Sequence, residues 1–197
     1  MRHVPMRHVW NNRVGASPKQ AIKAVGQTQR ALVGTSFVAA LLTLWILLAE
    51  PLPPSDVMRA GWTVDVLWRE SLWQQVSGYA LAGLVLVGLS FSLRKRWRRL
   101  AFINYQSWRM VHAFIGAATL LVLVLHTGLR SGTGINFHLM TDYLGLILTG
   151  AIMGILIVCN QTPRIARLRA RVFTIHLGLL WVFPVLLGFH ILAVYYY

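Results

Sequence analysis

Five apolar segments separated by short polar connections decide what this chain can fold into: roughly Ala31–Ala49, Leu72–Leu93, Met110–Gly128, Leu139–Cys159 and Phe173–Tyr195. Each is long enough to cross ~30 Å of hydrocarbon at ~1.5 Å rise per residue. Inside lipid no water is available to satisfy backbone N–H and C=O groups, so each segment is expected to be a helix. The rest of the composition agrees. A chain of 197 residues that is 56% hydrophobic, with a mean hydropathy of +0.58, is too apolar for a water-soluble domain of this size. The expected fold is all-α and integral to a membrane, with five transmembrane helices.

A formal net charge of +14 resembles that of a nucleic-acid binder until it is mapped onto the connections. Residues 1–30 hold Arg2, Arg7, Arg13, Lys19, Lys23 and Arg30 with no acid. The second basic block is Arg94, Lys95, Arg96, Arg98, Arg99 and Arg109, and the third is Arg164, Arg167, Arg169 and Arg171. All five acids (Glu50, Asp56, Asp65, Glu70, Asp142) fall in the two other connections or at their edges. This is the positive-inside pattern. It implies a cytoplasmic N-terminus, a periplasmic C-terminus and a bacterial inner membrane. The basic excess then reads as topology and contact with anionic lipid, with no nucleic-acid partner.

The expected organisation is a basic cytoplasmic segment over 1–30, a first membrane anchor over 31–49, and a four-helix bundle over 72–197. Ser17-Pro18-Lys19-Gln20 reads as a helix start, opening a short basic amphipathic helix on the inner membrane surface or against a partner subunit. The first apolar segment follows some 30 residues and ends in Leu47-Leu48-Ala49, which lacks a small–x–small cleavage pattern, so it reads as an uncleaved anchor. Pro51-Leu52-Pro53-Pro54 opens an outer loop whose Trp62, Trp68 and Trp73 are expected at the membrane interface. The single cysteine, Cys159, permits neither an intrachain disulfide nor a CxxCH haem attachment.

Chemistry enters with histidine. His112 and His126 stand 14 residues apart on one apolar segment, and His176 and His190 stand 14 apart on another. Fourteen residues at ~100° fall about 40° short of four turns, so both members of a pair share a helix face about 21 Å apart along the axis. One span separates the two helices, so they run parallel and the depths match: His112 opposite His176, His126 opposite His190. Ionisable groups inside a membrane are costly and point to function. A lone histidine there is as readily a hydrogen-bonded helix contact, but four matched in spacing and depth point to two bis-His haem sites. A proton relay or a transition-metal transport site is the alternative.

The same spacing resembles the dihaem four-helix core of cytochrome b in quinol–cytochrome c oxidoreductases. It also resembles the membrane domain of ferric reductases and NADPH oxidases. The resemblance covers about residues 72–195. By position it implies two non-covalent b-type haems, the inner held by His112 and His176 and the outer by His126 and His190, within a dihaem bundle made by the last four helices. The chain departs from both groups. It carries no flavin or nicotinamide domain, and it lacks the later helices and quinol-site motif of full-length cytochrome b. It therefore resembles a small electron-transfer subunit of an oxidoreductase complex. Expected partners are membrane lipids and other redox subunits, among them a c-type cytochrome or an iron–sulfur protein, with quinone as a further ligand.

Supporting residues follow from what a haem needs. A macrocycle approaches a helix only where side chains are small; Gly78, Gly83 and Gly88 precede the first histidine helix, Gly145, Gly150 and Gly154 precede the second, and Gly116 lies one turn past His112. Ordinary small-residue helix packing explains such glycines equally well. Arg130, four past His126, and Arg109, three before His112, are candidates for the anionic propionates, with Arg171 next; snorkelling to headgroups is the alternative. His138, before the fourth span, reads as an interfacial or loop histidine rather than a third-haem ligand or quinol proton acceptor, and His3 and His8 have no partner spacing. Pro184, midway between the ligands of the last helix, is expected to kink it. Two rival functions remain at this level. One is a ferric-reductase-like component fed by a separate flavoprotein; the other is a non-redox scaffold or transporter subunit.

Overall fold

The computed structural model describes residues 18–52, 65–93, 105–159 and 162–196. They form α1 (Pro18–Leu48), α2 (Val66–Arg69), α3 (Ser71–Leu93), α4 (Tyr105–Thr127), α5 (Ile135–Val158) and α6 (Pro163–Tyr196), with no strand among them. Five helices contain windows long and apolar enough to cross a membrane: Gly26–Leu48, Ser71–Ser90, Tyr105–Thr127, Ile135–Val158 and Pro163–Tyr196. The burial pattern identifies the solvent. Trp181 is 79% exposed and Leu86 67%, whereas Ser36, Thr43 and Thr119 are almost fully enclosed. Large apolar side chains outside and small hydroxyls between helices fit a lipid-facing surface.

Two helices, α1 and α6, start well ahead of the expected spans. α6 begins at Pro163 rather than near Phe173, so the third basic block is the start of one 34-residue rod. At ~1.5 Å per residue this rod is about 51 Å long, more than the hydrocarbon needs. Its exposed Arg164, Arg167 and Arg171 lie in the first turns. Thr162 Oγ1 accepts from the Ile165 N–H at 3.4 Å, and Pro163 occupies the first helical position, where its missing N–H costs nothing. α1 likewise runs without a break from Pro18 into its span, so residues 18–30 continue that helix instead of forming a separate one. The proposed Ser17 cap lies outside the described residues. Pro184 sits inside α6 without ending it, and by lacking an N–H it leaves the carbonyl four residues earlier without its helical donor.

Packing is uneven. α5 lies along α6, α3 along α4, and α1 along both α4 and α5, whereas α4 and α5 touch little and α4 and α6 do not pack together. α1 is thus a wall of the assembly and not an anchor set apart from it. Small residues permit this. Ser36, Ala39 and Thr43 are buried on α1, and Ser36 occupies the space that a Cβ on Gly154 of α5 would need. Gly145 serves α5 against α6 in the same way, its missing Cβ lying 3.2 Å from Leu179.

The outer end is closed by a turn in left-handed backbone. Gly128, Leu129, Gly132 and Gly134 all have positive φ, between 57° and 69°. The Leu52 N–H donates to the Gly128 carbonyl at 3.0 Å, tying the end of α1 to this turn. Trp68 on α2 covers the same glycine, where a Cβ would lie 2.6 Å from its ring. Trp68 is therefore packed on protein; Trp62 lies outside the described residues. Asp142 lies two turns into α5 and is buried.

Candidate functional site

Because α4 and α6 stand apart, the space between them is hollow. One cavity of about 480 Å³ is lined by His112 and His176 together with Gly116 and Arg109. A second, of about 610 Å³, is lined by His126 and His190 together with Arg130. The pairing expected from depth is thus the pairing found: one facing pair per cavity. Val85, Tyr143 and Phe183 line both spaces and form the partition between them. The Tyr143 and Phe183 rings lie 5.5 Å apart at a tilt of 37°. Both volumes fall in the ~300–1,000 Å³ range of small-molecule and cofactor sites.

The histidine rings are held from behind by the other two helices. His126 Nδ1 lies 3.0 Å from the Gln74 carbonyl and 3.0 Å from Ser77 Oγ on α3. His176 Nδ1 lies 3.1 Å from the Leu146 carbonyl and 3.1 Å from Thr149 Oγ1 on α5. The two cradles repeat one design: a carbonyl, a hydroxyl residue three later, and a glycine four later. A Cβ on Gly78 would come within 3.2 Å of His126 Cε1, and one on Gly150 within 3.3 Å of His176 Cε1. His112 turns its Nδ1 toward Gly88 of α3, where a Cβ would lie 3.8 Å away. His190 Nδ1 lies 2.8 Å from Asn136 Oδ1 near the start of α5. An Nδ1–H donated to an acceptor fixes the neutral tautomer and leaves the Nε2 lone pair as the ligating atom.

The glycines therefore divide by role. Gly78, Gly88 and Gly150 make room for imidazoles, while Gly145 and Gly154 serve helix packing. Gly83 has open space beside it, and Gly116 meets only Ile147 at 3.5 Å. Arg109 stacks its guanidinium 4.9 Å over the Tyr105 ring at the inner cavity. Arg130 is exposed at the rim of the outer one. Arg171 reaches neither cavity. His138 is exposed and packs edge-on against Phe137, away from both cavities, while His3 and His8 lie outside the described residues.

The donor set selects what the cavities can hold. Among the described residues no three His, Cys, Asp or Glu side chains converge, so a bare metal ion lacks a protein cage. A metal that brings four in-plane ligands of its own needs only two from the protein, one on each face. The outer pair has the corresponding separation: the His126 and His190 ring centroids are 6.4 Å apart with planes at 81°. Two metal–nitrogen bonds of ~2 Å plus two ring radii of ~1.1 Å place the centroids of opposed imidazoles about 6 Å apart. The outer pair thus fits a haem, and the inner cavity offers the same set of two imidazoles.

Sequence reasoning found the four histidines but not Gln74, Ser77, Leu146, Thr149 or Asn136. The available signal was faint: Ser77-Gly78 and Thr149-Gly150 dipeptides inside apolar helices, and the 14 residues from Asn136 to Gly150, which match those from His176 to His190. Comparison with family models, curated proteins and solved structures finds no match, leaving the geometry to carry the functional reading.

Proposed function

We propose that this protein is a transmembrane electron-transfer subunit, a dihaem cytochrome b. It would pass electrons between a quinol or partner redox subunit and a periplasmic c-type cytochrome or iron–sulfur protein. The observation that carries the reading is the arrangement of the imidazoles. They stand in facing pairs, one pair per cavity, with His126, His176 and His190 hydrogen-bonded to the helices behind them. Haem, when bound, supplies the one-electron couple. The chain's own residues do the rest. His112 and His176 would hold the inner haem, and His126 and His190 the outer one, and two imidazoles per iron would favour electron transfer over oxygen chemistry. The apolar walls from α3, α5 and α1 keep water away. Arg109 and Arg130 supply positive charge at the two ends, where propionates would lie. The basic connections set the inner surface of a bacterial cytoplasmic membrane.

The test is a dithionite-reduced minus oxidised spectrum of the purified protein, with pyridine-haemochrome quantification. Two non-covalent b-type haems per chain are expected. A folded, haem-supplied preparation without absorbance would end the cytochrome reading and leave a scaffold or transporter.

A further inference from the structure

His126 and His176 each lean on a backbone carbonyl and a hydroxyl of the helix behind, whereas His190 leans on an amide side chain. We infer that Asn136 is the positioning residue for His190 and sets the electron donation of the outer axial ligand, an inference that rests on the haem reading above. Asn136 Oδ1 accepts the His190 Nδ1–H at 2.8 Å. Asn136 is the second residue of α5, past the Gly134 N-cap, and this terminus carries no side-chain cap bond. The amide is committed to the histidine instead. The outer turn is built to let it in. Gly132 has φ +69°, and a Cβ there would lie 2.8 Å from the Asn136 Cβ. Asn136 and Gly132 line the outer cavity together with His190.

The chemistry gives a signed expectation. An acceptor on Nδ1–H shares the ring proton and raises the basicity of Nε2, which stabilises the oxidised metal. A stronger acceptor lowers the reduction potential of the outer site, and removal of the acceptor raises it. A purely structural contact would not reverse sign with the acceptor's strength.

The experiment is a potentiometric titration of the full-length protein, with the outer wave assigned as the one missing from His126→Ala. Asn136→Leu is expected to raise the outer midpoint or abolish that wave, and Asn136→Asp to lower it, with the inner wave unmoved in both. Gly132→Val, which displaces Asn136, is expected to follow Asn136→Leu. The retained inner wave reports that each variant is folded. An outer wave unchanged in Asn136→Leu and Asn136→Asp overturns the inference, as does a shift in the same direction in both. Absence of two waves from the unmodified protein would instead refute the dihaem reading itself.

Discussion

Gly78 offers the most discriminating perturbation, because the methyl group it lacks would touch a ligand ring. In Gly78→Ala the new Cβ stands 3.2 Å from His126 Cε1. Comfortable carbon–carbon contact is ~3.5–4.0 Å, so the ring must retreat by about 0.3–0.8 Å. Nδ1 now sits 3.0 Å from the Gln74 carbonyl and from Ser77 Oγ. Such a retreat takes these bonds past the ~3.2 Å edge of useful geometry. Loss of a partner behind a metal-bound imidazole typically weakens binding by ~10–100-fold, or about 1.4–2.7 kcal/mol. α3 packs along α4 and not α6, so it can yield part of the distance into lipid; Gly78→Ala should fall near the lower end and Gly78→Val near the upper. Gly83→Ala on the same helix is the control, since nothing lies within 4 Å of its Cβ position. The assay is haem titration of protein produced under haem limitation, read by difference spectroscopy. Full outer-site affinity in Gly78→Val, or an equal loss in Gly83→Ala, would refute the cradle.

Single-ligand variants should separate the sites: His126→Ala or His190→Ala removes the outer haem and spares the inner, and His112→Ala or His176→Ala does the reverse, read as haem per chain. Thr149→Val keeps the Leu146 carbonyl but loses the hydroxyl beside His176 Nδ1; inner-site affinity should fall about tenfold in the same titration. Gly154→Ala drives a methyl into Ser36; the cost should be ~1–3 kcal/mol in a detergent unfolding curve, relieved by a second change, Ser36→Gly. Cys159, exposed past the end of α5, should resist a membrane-impermeant thiol reagent in intact cells and react in inverted vesicles if the basic side is cytoplasmic.

What was legible beforehand followed from periodicity and cost. Apolar length announced the spans, and four histidines in lipid are too expensive to be accidental, so their depth matching survived into three dimensions. What stayed hidden was the set of groups that brace the rings from behind. A carbonyl such as that of Gln74 or Leu146 belongs to every residue and leaves no mark in a sequence. Ser77 and Thr149 are ordinary in membrane helices, and only their place before a glycine distinguishes them. The role of α1 was equally opaque. Ser36, Ala39 and Thr43 read as a plain apolar stretch, and only Gly154, 118 residues beyond Ser36, explains why that helix sits against α5. The helix starts at Pro18 and Pro163 were marked by their prolines, but hydropathy alone placed the spans later because the first turns are basic.

The one-sided packing of the helices has a consequence for biogenesis. α1 acts as the spine of a book whose covers are the α3–α4 and α5–α6 pairs. Along the opposite edge α3 and α6 do not pack together, and a hydrogen bond joins the Tyr79 and Tyr195 hydroxyls across it. Both of those tyrosines line the outer cavity. A flat, oily molecule dissolved in the bilayer can therefore slide between the covers sideways, after the helices have been inserted and without unravelling any of them. Once in place it would bind the two covers together, so a newly made chain that has not received it should be the form most open to membrane proteases.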